Sequence, residues 1–161
     1  MKPDELISLL RKNARTPIAD LARELGASEE SVLSEIAKLE SAGIILGYHA
    51  ILDSQKIRAG VVTAFVEVRI TPERGGGFDR LAARIARFDE VQSCYLMSGA
   101  YDLLVVVEGA TLQDVSTFIS EKLSTIKGVL STATHFRLKT YKEDGVEFVR
   151  QAPRERLAVT P

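Results

Sequence analysis

Residues 101–108 read YDLLVVVE, and this stretch limits the fold more than any other. Successive side chains of a strand point to opposite faces. Leu103, Val105 and Val107 therefore occupy one face, and Leu104 and Val106 the other. Burying each such side chain stabilises the fold by about 1.5–3 kcal/mol relative to leaving it in water. Both faces of this strand must be covered, and a helix layer from the same chain covers one.

The flanking segments supply that layer. VVTAFVEVRI (61–70) alternates strictly, with Val62, Ala64, Val66, Val68 and Ile70 on one face. TPERGGG (71–77) reads as a loop, and Phe78, Leu81, Ala82, Ile85 and Phe88 trace a helix face. VQSCYLMS (91–98) is a second strand, joined to 101–108 by a two-residue hairpin signal at Gly99-Ala100. Leu112, Val115, Ile119, Leu123 and Ile126 trace another helix, and VLSTATHFRLK (129–139) is the last strand. The order βαββαβ is the ferredoxin-like split arrangement. It places both helices on one side of the sheet, so the other apolar face needs a partner. A second copy of the chain is the simplest cover.

The first 53 residues follow a different rhythm. Leu6, Leu9 and Leu10 share one face of a helix over 4–13. Thr16 and Pro17 suit the cap and first turn of a second helix with Ile18, Leu21, Ala22 and Leu25 inward, ended by Gly26. Ser28 caps a third, in which Val32, Ile36, Leu39 and Gly43 form one stripe and Glu29, Glu30, Ser34, Glu35 and Lys38 the opposite face. The short turn at Gly26-Ala27 fits a helix-turn-helix. IILGYHAILD (44–53), with its Gly-centred turn, reads as a hairpin wing. These patterns predict an α+β protein: a winged helix-turn-helix over 1–53, a linker over 54–60, and a ferredoxin-like domain over 61–161.

Charge sharpens the functional question. The formal net charge is −1, and residues 1–53 hold six bases against nine acids. A DNA reader usually shows the opposite bias, because phosphate attraction supplies much of its affinity. No apolar run approaches the roughly 20 residues that span a bilayer. The charged N-terminus MKPDELISLLRKNAR has no apolar signal core, and Cys94 is the one cysteine. A cytoplasmic protein with no membrane segment, no disulfide and no cysteine-based metal cluster is expected.

The chain resembles the Lrp/AsnC, or feast/famine, family of transcription regulators. The likeness rests on LISLLRKNARTPIADLARELGAS (6–28), VLSEIAKLESAGIILGYHAILD (32–53), SGAYDLLVVVEG (98–109) and GVLSTATHFRLK (128–139), in that order. It implies a winged helix-turn-helix joined to a ferredoxin-like effector domain, dimers that often assemble into octamers, and a small amino-acid-like effector held between subunits. The implied partner is double-stranded DNA, and no cofactor is implied. The recognition helix departs from the family pattern: Ser34, Glu35, Ala37 and Lys38 stand where arginine or lysine is usual. The DNA-facing candidates are Arg11, Arg15, Ser28, Ser31, Ser34, Glu35, Lys38 and His49, with Lys12, Arg23 and Tyr48 as further backbone contacts. The effector candidates are Ser98, Gly99, Ala100, Tyr101 and Asp102, with Thr132, Thr134 and Ser131 on the last strand. A Gly-containing turn offers amides to a carboxylate, Asp102 an acceptor to an ammonium, and Tyr101 an apolar wall with a polar tip. The same turn also reads as a plain β-turn with Asp102 bonded to nearby backbone.

Other functions find less support. RGGGF (74–78) has no following GK[ST] and is a loop, not a phosphate cradle. His49 and His135 lie in separate units without clustered acids or thiols, which argues against a metal site. Cys94 reads as a packed thiol. Some relatives of this architecture are tetrapyrrole decarboxylases, but no cluster of His or Arg supports an enzyme. A base-stacking RNA sheet needs aromatic strand residues, and 103–107 is LLVVV. The competing reading is an effector-binding, oligomerising module whose DNA contact is weak or lost, favoured by the acidic recognition helix. The tail 142–161 reads as an edge strand, an arm or a solvated end.

Overall fold

The computed structural model describes residues 2–53, 56–57, 60–72 and 77–148. Most of the glycine loop at 73–76, four positions of the expected linker (54, 55, 58 and 59) and the tail from 149 lie outside the described residues. The chain divides into two compact units, with the boundary after Ala50.

The first unit is three helices: α1 (Pro3–Lys12), α2 (Ile18–Leu25) and α3 (Glu29–Ser41). Leu6, Leu21, Ala22, Val32 and Leu39 form its core, with Leu9, Leu10, Ile36 and Ile45 packed against it. Gly26 ends α2 at φ 60°, a left-handed conformation that glycine adopts without steric cost. Ser28 caps α3, its Oγ accepting from the Ser31 amide at 3.2 Å. Thr16 does not cap α2. Its hydroxyl turns back to donate to the Asn13 carbonyl at 2.8 Å, and Pro17 stands at the cap position.

The wing hairpin is the larger correction, because residues 44–53 form no strand. Ile44 is 60 % exposed and Leu46 92 % exposed, so only Ile45 of 44–46 is anchored on the helix core. A lone two-stranded hairpin is marginal in water. The segment instead folds back on α3. The Ile44 and Ile45 amides both donate to the Leu39 carbonyl, and the Tyr48 hydroxyl donates to Glu40 Oε1 at 3.0 Å.

The second unit is the expected βαββαβ sandwich of one sheet and one helix layer. Its elements are β1 (Val62–Ile70), α4 (Asp79–Ile85), β2 (Val91–Leu96), β3 (Leu103–Gly109), α5 (Leu112–Thr117), a π-helical turn (Phe118–Leu123) and β4 (Val129–Phe136). A short hairpin of β5 (Lys142–Glu143) and β6 (Val146–Glu147) follows. The sheet runs β2-β3-β1-β4, with each neighbouring pair antiparallel. Ala64, Val66, Val68, Ile70, Leu103, Val105 and Val107 are buried beneath the helices, against Leu81, Ile85, Val115, Phe118 and Leu123. Gly109 lets α5 approach the end of β3. A Cβ there would stand 2.9 Å from Val115 Cγ2.

Two local expectations fail in this unit. The β2–β3 connection is not a two-residue hairpin. Pairing runs from Leu96–Leu103 to a last bond from the Met97 amide to the Asp102 carbonyl, which leaves a four-residue loop. Leu112, expected in the buried stripe, is 57 % exposed, whereas Phe118, absent from that stripe, is buried. Leu112 is the first residue of α5, at the open end of the helix, while Val115, Ile119, Leu123 and Ile126 of the stripe are buried. The π turn, with more than 3.6 residues, adds Phe118 to the buried side. Elsewhere Lys122 reaches Glu90 at 2.6 Å, and this bond holds the Glu90 carboxyl below the usual range. Cys94 is half-buried, which pushes its thiol up.

Candidate functional site

The helix-free side of the sheet follows from the ladder. Phe65 pairs with Val106 on one side and His135 on the other, while Glu67 pairs with Leu104 and Ala133. Tyr95 faces Leu104 from β2. This face is therefore apolar along β3 and half-exposed in the single chain. His135 Nε2 lies 3.3 Å from Glu67 Oε1. At its edge Arg137 donates to the Thr63 hydroxyl at 2.7 Å and lies 3.4 Å from Glu143, tying β1 to the β5–β6 hairpin.

Ser98, Gly99 and Ala100, exposed, and Tyr101, half-buried, form the loop that closes β2 onto β3, with Gly99 at φ 148°. Asp102 is committed to the scaffold. One carboxylate oxygen accepts from the Ile70 amide at 2.8 Å, its own amide donates to Val68, and Arg69 Nε donates to the Ala100 carbonyl at 2.9 Å. A carboxylate offers about four acceptor positions, so Asp102 keeps capacity for a ligand. The loop amides from Ser98 to Tyr101 lie beyond the last ladder bond. Asp102→Ala would strand the Ile70 amide. The expected loss is about 1–2 kcal/mol, seen as a lower melting temperature. An unchanged melting curve would show that this bond does not hold the loop.

Thr132 and Thr134 lie elsewhere. They face the helices from β4, opposite Val68 and Val66. Since β3 and β4 flank β1, the register puts Thr132 about 10 Å from Leu103, two strand spacings away. There they line a pocket of about 260 Å³ with Ser116, Ser120 and Ser124 on the helix side and Ile119 and Phe136 as its apolar surface. The Ser124 and Thr132 hydroxyls are 3.2 Å apart and share a hydrogen bond. Ser131, on the same strand, points to the opposite face. The three helix serines were not foreseen. Their i, i+4, i+8 spacing was visible, but serines on a helix read as a solvated face. Thr111 and Asp114 fix the start of that helix by capping each other's amides at 3.1 and 2.9 Å.

The DNA-facing candidates sit on several elements. Ser31, Ser34 and Lys38 are exposed on α3, together with Glu29, Glu30, Leu33 and Ala37, while Ser28 is occupied as the cap. Glu35 is not on the outward face. Its side chain is only 20 % exposed, and it holds Lys38 at 3.3 Å. It stands three residues after Val32, on the flank of the buried stripe. Arg11 and Arg15 are exposed at the end of α1 and in the turn after it, and His49 is exposed in the segment beyond α3. Arg23 is paired with Asp20 at 2.6 Å.

Among the described residues no three His, Cys, Asp or Glu side chains converge as a metal site, and no helix is long and apolar enough to cross a membrane. Residues 5–40 match the AsnC-type helix-turn-helix domain and residues 63–147 the Lrp/AsnC ligand binding domain. The HTH-type transcriptional regulator YugG of Bacillus subtilis is 44 % identical over 99 % of this chain and 97 % of its own. The proline dehydrogenase transcriptional activator of Rhodobacter capsulatus is 32 % identical over 81 % of this chain and 84 % of its own. A transcriptional regulator of Neisseria meningitidis, solved as its L-methionine complex, superposes with a TM-score of 0.70. It is 27 % identical and the match covers 89 % of this chain and 92 % of that one.

Proposed function

Because the chain belongs to the Lrp/AsnC family of transcriptional regulators, we propose that its helix-turn-helix unit binds double-stranded DNA and that its sheet unit binds a small amino-acid-like effector. The homo-oligomer forms through the helix-free sheet face, whereas the effector pocket opens on the helix side of the sheet, where a further subunit of a higher assembly would meet it; effector binding alters the DNA affinity. The hydroxyl-lined pocket carries this reading: it joins Thr132 and Thr134 to a concave surface of single-amino-acid size. The L-methionine held by the Neisseria relative supports the ligand class. A gel-shift against the DNA upstream of the gene, with and without an amino-acid mixture, tests the proposal. A shift that the mixture alters is expected; no shift under either condition would overturn it.

One observation favours the second reading, a module with weakened DNA contact. Glu29 and Glu30 are exposed at the start of α3, and Lys38 is tied to Glu35. The acids complement the positive end of the helix, but they repel phosphates. Glu30→Arg removes a repulsion and adds a cation. Affinity should rise several-fold at low salt, and the log–log salt slope should steepen by about 0.9 for each phosphate gained. Stability should stay within about 0.5 kcal/mol at so exposed a position. An unchanged slope with an intact fold would mean that α3 does not meet DNA, and the module reading would replace the regulator.

A further inference from the structure

We infer that α4 of the sheet unit carries a second contact for duplex DNA. An exposed arginine stripe, Arg80, Arg84 and Arg87, takes the phosphate backbone without reading sequence. This rests on the proposal that the chain binds DNA, and it names where part of the phosphate attraction comes from.

The charge distribution raises the need. Residues 1–53 hold six bases against nine acids. Three of those bases are already paired: Lys2 with Glu5, Arg23 with Asp20 and Lys38 with Glu35. Phosphate contacts supply the sequence-independent part of DNA affinity, and a unit this acidic gains little of it alone. Several cations of the sheet unit are committed as well. Lys122 holds Glu90, Arg137 holds Glu143, and Arg69 donates to the Ala100 carbonyl.

The cations of α4 are placed differently. Leu81 and Ile85 are buried beneath the helix, which turns Arg80, Ala83, Arg84 and Arg87 outward, all exposed. The i, i+4, i+7 spacing lines up the arginines with Cβ atoms about 5–6 Å apart. Arg87 follows the cap, and its amide still donates to the Arg84 carbonyl at 3.4 Å, so the helical line extends to it. Arg84 and Arg87 have no carboxylate partner among the described residues. A guanidinium binds phosphate through two parallel hydrogen bonds, and the small Ala83 beside the stripe leaves a backbone room to approach. The nearby acids do not cancel the stripe. Asp79 stands about 100° round the helix from Arg80, Asp89 lies beyond the helix, and Glu90 is taken by Lys122. α4 packs over β2, at the opposite edge of the sheet from β4, so the stripe is clear of the hydroxyl-lined pocket.

Fluorescence anisotropy of the full-length protein on duplex DNA tests the stripe. Two duplexes are titrated across a range of salt: the DNA upstream of the gene and one of unrelated sequence. The double variant Arg84→Ala, Arg87→Ala should lower the log–log salt slope by about 1.8 per subunit engaged, about 0.9 for each phosphate lost, on both duplexes. Affinity at low salt should fall by about tenfold, and the preference for the upstream duplex should persist. The double variant Arg84→Lys, Arg87→Lys keeps the charge and should restore the slope. Both positions are exposed, so melting curves should match the wild type. Wild-type slope and affinity in the alanine variant would overturn the stripe as a DNA contact and leave the regulator reading intact. A loss confined to the upstream duplex would make the stripe a base reader and overturn its backbone role. If the wild type binds neither duplex, both proposals fall together.

Discussion

Leu104→Asp should give a folded monomer of 17.7 kDa in sedimentation or light scattering, where the proposed sheet pairing gives the wild type a larger mass. Leu104 lies mid-strand on the helix-free face, between Tyr95 and Glu67 in the ladder. Among the described residues no element of the second unit covers that face, and Phe65 and Val106 continue its apolar surface. In a two-fold pairing each substitution enters the interface twice. Burying an unpaired carboxylate costs at least about 3 kcal/mol per copy, or on the order of 10⁴ in the dissociation constant of the dimer. In the monomer the same carboxylate is solvated, so the fold should survive. Assembly at wild-type mass would remove this face as the interface.

Val105→Asp, one residue along, should have a different result: the sheet unit fails to fold. Val105 is fully buried on the helix side, paired with Val66 and Cys94. The change removes about 1.5–3 kcal/mol of apolar burial and adds an unpaired charge in the core. A domain's whole stability is about 5–15 kcal/mol, so the sum consumes most of it. Circular dichroism should show loss of sheet signal and of the cooperative thermal transition. A wild-type melting curve would mean that the helix layer does not cover β3 as described.

The contrast between these neighbours was partly legible in the sequence. Alternation showed that Leu104 and Val105 lie on opposite faces; it could not say which face the helices take, because β3 is apolar on both. Ser28 and Gly26 were legible because a cap and a left-handed turn are local chemistry. Thr16 was misassigned because Asn13 offers its hydroxyl a competing carbonyl, equally local but not marked by any spacing. The missing wing and the four-residue loop depend on distant partners: a surface for Leu46 to pack on, and the Ile70 amide that draws Asp102 into the scaffold. Glu35 looked outward because a stripe four residues wide was drawn too narrow, and the helix flank also counts as partly covered. The pocket was half seen. Its threonines came from the family likeness, and its serines, though regularly spaced, read as a solvated helix face.

The π turn also makes chain length a determinant of which side chains face β4. Each residue of an α-helix advances the side-chain direction by about 100°. Deleting one residue between Phe118 and Leu123 would restore a regular helix and rotate the upstream residues against β4 by roughly that angle. Ser116 would leave the serine row and another side chain would face the threonines. A chain one residue shorter at this point would therefore carry the same amino acids in a different phase, and alignment by residue identity alone would misjudge which of them face β4.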